Sequence, residues 1–341
     1  MRRVLLPLEI SNAVPPVDAV LRDYAGRSMG TSWSVRLLAE AGQDFQSGLQ
    51  GQLDAVGAQM SHWEASSDLG RFNRAPAGSW HVLPQAFFDV LSFALDVARQ
   101  SGGAYDPCAG ALVNLWGFGP EGRFGEEDFT EPAPEAVAQM LRERAAQHLQ
   151  LQADTRRALQ PGGVQLDFSA VAKGYAVDRL AFFLKSHGVR HFLVEVGGEL
   201  RGAGVKQDGQ PWWVRLEEVE QVDQAPPSLS PSPDELVLAL HGLSVATSGD
   251  YRRYFQRGGQ RYSHTIDPRS GRPIDNGLAS VTVLHPLCMA ADAWSTALTV
   301  LGLQEGMAMA ERLGLAARFV ERTQAGLREH LSTSFQRMLA E

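Results

Sequence analysis

Strand-like runs follow one another between residues 191 and 284, and this succession constrains the fold more than any other feature of the chain. They fall at 191–196 (HFLVEV), 199–203, 212–217, 235–240, 243–247, 260–266 and 279–284. Each is a short apolar or alternating stretch bounded by turn residues. An earlier run, Ser28 to Leu38, alternates in the same way. Phe45, Leu49, Leu53, Val56 and Met60 recur three and four apart, which is one face of a helix. The Phe87–Ala98 pattern predicts a second helix, ended by Gly102-Gly103. Further helices are expected at 135–147, 170–187, 288–301 and 304–313. Strands at 148–152 and 164–168 are expected to flank a hairpin. Residues 103–134 read as a long loop, and a hairpin near Thr323–Gly326 with a short final helix closes the chain. Strands and helices are mixed without strict alternation, which favours α+β over a doubly wound sheet. Antiparallel sheets packed with helices are the expectation.

Length and composition set the outer limits. A chain of 341 residues allows a sizeable core and one large domain or two ordinary ones. With 44% hydrophobic and 21% charged residues, it is not a disordered, collagen-like or coiled-coil protein. A formal net charge of -8 weighs against nucleic acid as a partner. No apolar stretch approaches the roughly 18 residues of a membrane span, so no integral membrane segment is expected. Residues 1–21 read as an N-terminal arm, 22–325 as one functional domain and 326–341 as a C-terminal strand and helix tail. Within the domain, 220–234 (EQVDQAPPSLSPSPD) reads as a flexible, solvent-exposed insertion. The opening MRRVLLPLEISNAVPP only faintly resembles a signal peptide, because Pro7 and Glu9 break its apolar patch. With no clear signal and no cysteine to carry a lipid, a cytoplasmic location is favoured over a periplasmic one. Cys108 and Cys288 form no CxxC pair, and whether they join in a disulfide is left open.

Standard nucleotide and zinc motifs are absent: there is no G-x-x-x-x-G-K-[ST], no G-x-G-x-x-G and no H-E-x-x-H. Chemistry is concentrated instead in four clusters. In LDFSAVAKGYAVDRL (166–180), Asp167 ends a strand and Ser169 stands where a helix N-cap belongs. A helix start there, with Lys173 and Gly174 in its first turns, suits a phosphate. An ordinary strand-to-helix turn, with Asp178 facing solvent, is the competing reading. In CMAADAWSTALTVLG (288–302), Asp292 and Thr296 share one face of an apolar helix. A carboxylate and a hydroxyl one turn apart suit a hard cation such as Mg²⁺, although a partly exposed helix-start aspartate would explain Asp292 equally well. In TSGDYRRYFQRGGQRYSHTIDPRSGRP (247–273), His264 stands on a returning strand just before Asp267. A histidine near a carboxylate can serve as a general base. His62, His187 and His330 have no comparable context. In LVEVGGELRGAG (193–204), Gly197-Gly198 follow a buried strand, as a simple turn or as a close approach to a ligand.

Taken in order, the motifs resemble the ApbE family of FAD:protein FMN transferases. The stretches that carry the resemblance are MGTSW (29–33), SDLGRFN (67–73), GAYDP with its following glycine (103–110), LDFSAVAKGYAVD (166–178), VGGEL (196–200), ATSGDYRRYF (246–255), YSHTIDPRSGRP (262–273) and AADAWST (290–296). They span about residues 25–325. Ser61-His62-Trp63 departs from the family's more hydroxyl-rich version of that motif, and AWST from its commoner small residues.

The resemblance implies a T-fold-like α+β architecture with FAD in a cleft between two lobes. It implies Mg²⁺-dependent transfer of the FMN moiety of FAD to a threonine or serine hydroxyl of an acceptor flavoprotein, such as a redox-complex subunit or reductase domain, with release of AMP. On that resemblance Ala170 (by its carbonyl), Asp292 and Thr296 are the metal ligands. Met29, Trp63, Ala104, Tyr105, Asp106, Asp167, Lys173, Gly198, Thr247, Ser248, Gly249 and His264 are the FAD-contacting set. His264, Lys173 and Asp267 are the catalytic group, with His264 as the base. An FAD pyrophosphatase giving FMN and AMP, and a non-catalytic FAD-binding protein, are the alternative activities.

Overall fold

The computed structural model describes residues 3–10, 14–121, 123–126, 129–217, 236–250 and 254–340. The insertion expected at 220–234 lies outside them. An eight-stranded sheet, antiparallel throughout, forms the centre. From one edge its strands are Gly326–Leu331, Ala316–Thr323, Leu278–His285, Leu243–Gly249, Glu199–Ala203, Phe192–Val196, Thr31–Ala39 and Val20–Ser28. The fold is α+β.

Side-chain alternation explains which face each strand turns inward. In Thr31–Ala39, Trp33, Val35 and Leu37 are buried while Ser32, Ser34 and Arg36 are exposed. Leu278–His285 is instead buried along almost its whole length, because both faces of the sheet are covered there. On one face Val281 and Val283 join the main core with the helices Gln46–Met60, Ala172–Ser186 and Cys288–Leu313. On the other, Val245 and Leu284 pack with Leu5, Trp212, Leu238 and Phe335. That second layer includes a small sheet in which Arg3–Leu5 pairs in parallel with Leu236–Leu240, itself antiparallel to Trp212–Arg215. The segment expected to be an arm therefore supplies a strand. The segment expected to be a tail supplies the edge strand of the main sheet and the short helix Thr333–Gln336.

Several local expectations change. The strand read from Ser28 is the second arm of a hairpin whose first arm is Val20–Ser28. Met29 and Gly30 both take positive φ (52° and 72°), the geometry of a two-residue turn matched to strand twist. No strand forms over 164–168; that stretch makes only a bridge, Ala109 to Gln165, and the hairpin partner of Gln150–Gln152 is Arg157–Gln160. A short helix, Gly110–Leu115, occupies part of the expected long loop. The two helices expected at 288–301 and 304–313 run together as Cys288–Leu313, kinked at Gly302, whose φ of 76° only glycine adopts readily. Cys108 and Cys288 are both free thiols, and burial pushes each well above its ordinary pKa.

Candidate active site

Two helices cross where the sequence placed its phosphate and cation clusters, and each caps the other. Asp178, on Ala172–Ser186, accepts hydrogen bonds from the Cys288 and Met289 N–H groups at 3.1 and 2.9 Å. Asp292, on Cys288–Leu313, accepts one from the Gly174 N–H at 2.9 Å. Each carboxylate satisfies free donors in the first turn of the other helix. Asp178 is thus not the solvent-facing residue of the competing reading; it also pairs with Arg201. The crossing needs glycine at 174. A Cβ there would lie 2.4 Å from the Cys288 carbonyl oxygen and 2.7 Å from the Asp292 Cβ.

Ser169 does not cap the helix. The N-cap position is Val171, without a side-chain bond. Asp167 instead closes a local turn, accepting the Ser169 N–H at 2.7 Å and the Ser169 hydroxyl. A short carboxylate that reaches its own backbone two residues on competes well with a serine cap. His62 Nδ1 lies 3.5 Å from the same Asp167 oxygen. The histidine that looked contextless in sequence thus sits on the cleft wall, brought there by a loop more than a hundred residues away.

One cavity of about 580 Å³ gathers most of the expected residues. Trp63, Ala104, Tyr105, Asp106, Asp167, Ala170, Lys173, Thr247, Ser248, Gly249, His264, Asp292 and Thr296 all line it. Its walls come from the end of the Leu243–Gly249 strand, the starts of the two crossing helices, and the loops around 62, 105 and 265. Met29 and Gly198 are not among the lining residues. Met29 packs against the core at its hairpin turn, and its neighbours Gly30 and Thr31 line the cavity instead. Gly197 and Gly198 form the tight turn between Phe192–Val196 and Glu199–Ala203, with φ of 60° and 101°. A Cβ at Gly197 would meet the Lys173 stem at 3.2 Å, so this turn makes room for that lysine.

Asp267 departs from its expected role. Its carboxylate holds Arg269, accepting from the Arg269 backbone N–H, Nε and Nη2 at 2.9–3.0 Å. It is not among the cavity-lining residues. An arginine two positions on matches the carboxylate fork better than a single imidazole donor does. His264 itself lies at a bend just past the Gln260–Ser263 strand, its ring edge-on to Phe118 at 6.4 Å.

The cavity's charge is lopsided. Asp106, Asp167, Glu199 and Asp292 line it, with Lys173 as the sole lysine or arginine among the described lining residues. Lys173 pairs with Glu199, whose side chain is 3% exposed, and Arg144 reaches Asp106 from behind. Glu199 was not singled out in sequence, although it stands in the VGGEL motif, three positions after a buried strand. Tyr105 is buried, and among the described residues its hydroxyl has no hydrogen-bond partner. Burial first, then the charges of Asp292, Asp167 and Asp106, raise its pKa well above the ordinary phenol value. It is therefore a protonated donor without an acceptor. Thr296 and Ser295 each bond to the Ser248 hydroxyl, at 2.9 and 2.8 Å, which ties the strand end to the helix. At the mouth Trp63 is 41% exposed, with the Arg123 guanidinium 5.1 Å from its ring.

A carboxylate, a hydroxyl and a nearby backbone carbonyl (Asp292, Thr296, Ala170) are hard oxygen donors suited to Mg²⁺. The excess of carboxylates over cations around them favours a bound cation as well. These residues fit the metal.

The comparisons with known proteins agree among themselves. The ApbE family pattern matches residues 29–319. The FAD:protein FMN transferase of Vibrio cholerae is 35% identical over 320 residues, covering 93% of this chain and 92% of that protein. Among solved structures, the apo flavinyl transferase ApbE of Pseudomonas stutzeri superposes with a TM-score of 0.80 at 35% identity, covering 94% of this chain and 97% of that one. The flavin transferase ApbE of Vibrio cholerae gives a TM-score of 0.82 at 33% identity, covering 94% and 99%.

Proposed function

The chain belongs to the ApbE family, and on that premise we propose that its cleft transfers the FMN moiety of FAD to a threonine or serine hydroxyl of an acceptor flavoprotein and releases AMP. The acceptor oxygen forms a bond to the phosphorus of the FMN half. The bond from that phosphorus to the oxygen bridging to AMP breaks, and AMP leaves with the electron pair. His264, at the cleft wall, takes the hydroxyl proton. Lys173, oriented by Glu199, faces the negative charge of the pyrophosphate. Trp63 offers an exposed aromatic face to a planar ring of FAD. The Tyr105 hydroxyl donates a hydrogen bond to the bound dinucleotide. Mg²⁺ held by Asp292, Thr296 and the Ala170 carbonyl would supply neutralisation of phosphate charge. Asp267 shapes the loop that carries His264 by holding Arg269.

The observation that carries this reading is the convergence of Lys173, His264, Asp292 and Thr296 on one cavity large enough for a nucleotide. The test is incubation of the protein with FAD, Mg²⁺ and an acceptor domain bearing a flavinylation threonine. AMP release together with flavin retained on the denatured acceptor supports the transferase. AMP with free FMN and no labelled acceptor points to the pyrophosphatase. FAD bound without AMP release points to a binding protein.

Two substitutions probe the parts separately. His264→Ala is expected to lower transfer by about 10²–10⁴-fold while FAD still binds; unimpaired single-turnover labelling would remove His264 as the base. Tyr105→Phe deletes a buried hydroxyl that lacks a partner in the unliganded protein. The free protein should be no less stable, and FAD affinity should fall by up to about tenfold, the worth of one neutral hydrogen bond. Thermal unfolding with and without FAD reads both effects. A variant that is destabilised when free and unchanged in affinity would show that the hydroxyl serves the fold instead.

A further inference from the structure

A second cavity, of about 1000 Å³, opens at the other end of the elements that build the cleft. The Ala172–Ser186 helix carries Lys173 into the cleft and Lys185 into this cavity. Twelve residues at 1.5 Å of rise set the two about 18 Å apart. The Leu243–Gly249 strand likewise begins at the second cavity and ends at the cleft. The two cavities share no lining residue.

The walls are of two kinds. Leu243, Leu284, Leu315 and Met338 supply apolar surface. The charged and titratable lining is basic: Lys185, Arg190, His241 and His285 stand against Glu9 alone. Among the described residues, no hydrogen bond or ion pair engages the Lys185 or Arg190 side chain. Partial burial, then the Arg201 charge, lowers the pKa of Lys185, and burial lowers that of His285, with Asp178 opposing both shifts. Lys185 and Arg190 are both exposed in this wall, so an anion entering the cavity can meet an ammonium and a guanidinium together. The apolar wall adds a preference for a ligand with a hydrocarbon body.

We propose that this cavity binds a small amphiphilic anion, with a phosphate or carboxylate head at Lys185 and Arg190 and an apolar chain along Leu243, Leu284 and Leu315. The site is independent of the flavin chemistry and stands or falls apart from it.

Calorimetric titration of the full chain tests this, with monomeric octyl phosphate and octanoate as probes and octanol and inorganic phosphate as controls. Saturable one-to-one binding of octyl phosphate or octanoate is expected, at least tenfold tighter than either control. The better of the two probes identifies the preferred head group. In Lys185→Ala/Arg190→Ala that binding should weaken at least tenfold, while acceptor labelling with FMN stays at the parent rate. Saturating FAD should leave it unchanged. Absence of saturable binding, equal binding by the double variant, or displacement by FAD would each overturn the assignment.

Discussion

Replacing Asp292 with Asn will leave the fold standing and lower FMN transfer by at least about a hundredfold, equivalent to about 2.7 kcal/mol of transition-state stabilisation. The side chain is 4% exposed and accepts the Gly174 N–H at 2.9 Å. The asparagine oxygen can keep that bond, so the helix crossing survives. The variant removes a negative charge from the one position that shares a helix face with Thr296 and faces the Ala170 loop across the cleft. On the proposed function, the substitution acts on cation binding rather than on packing. Initial rates of acceptor labelling, with the unfolding midpoint measured beside them, separate the two effects. Labelling within tenfold of the parent would remove Asp292 from the site chemistry. A collapsed unfolding midpoint would show that the charge itself holds the helices together.

Gly174→Ala is the larger structural test. In an open helix alanine gains about 1 kcal/mol over glycine. Here the added Cβ would lie 2.4 Å from the Cys288 carbonyl oxygen and 2.7 Å from the Asp292 Cβ. The oxygen belongs to the backbone of a buried helix start and cannot swing aside as a side-chain tip can. Overpacking of this kind costs roughly 1–3 kcal/mol or more and outweighs the propensity gain. A net loss of about 2 kcal/mol is expected, seen as a drop of several degrees in the unfolding midpoint. Transfer should fall with it, because the shift separates Lys173 from Asp292. Gly57→Ala is the matched control. It lies inside Gln46–Met60 with nothing within 4 Å of its added Cβ, and should stabilise slightly. A rise in the midpoint for both variants would show that the crossing has slack.

Much of the cleft was legible in the chain. Asp292 and Thr296 one turn apart in an apolar helix, and Asp167 and Lys173 around a helix start, were singled out in sequence, and all four line the cleft. What those patterns could not convey is the partner of each polar group. Ser169 looked like a cap, yet the Asp167 carboxylate holds its hydroxyl. Asp267 looked like the companion of His264, yet Arg269 satisfies it. His62 looked incidental and stands beside Asp167. The hairpin before Thr31 and the strand at Arg3–Leu5 also escaped notice, because VLRDYAGRS has no alternation of apolar residues and RVL is only three residues long.

The division follows from the range of the forces. Periodicity records whether a side chain meets water or core, and turn residues record where the backbone reverses, so element type, the α+β class and the order of the motifs were determined by the chain locally. The identity of the surface against which an element packs depends on contacts between distant residues, and local pattern holds no record of it. Asp178 capping the Cys288 helix and Asp292 capping the Lys173 helix join residues more than a hundred positions apart. Only the tertiary structure decides that these two carboxylates reach the starts of each other's helices, because only there does glycine at 174 let the two backbones come close enough.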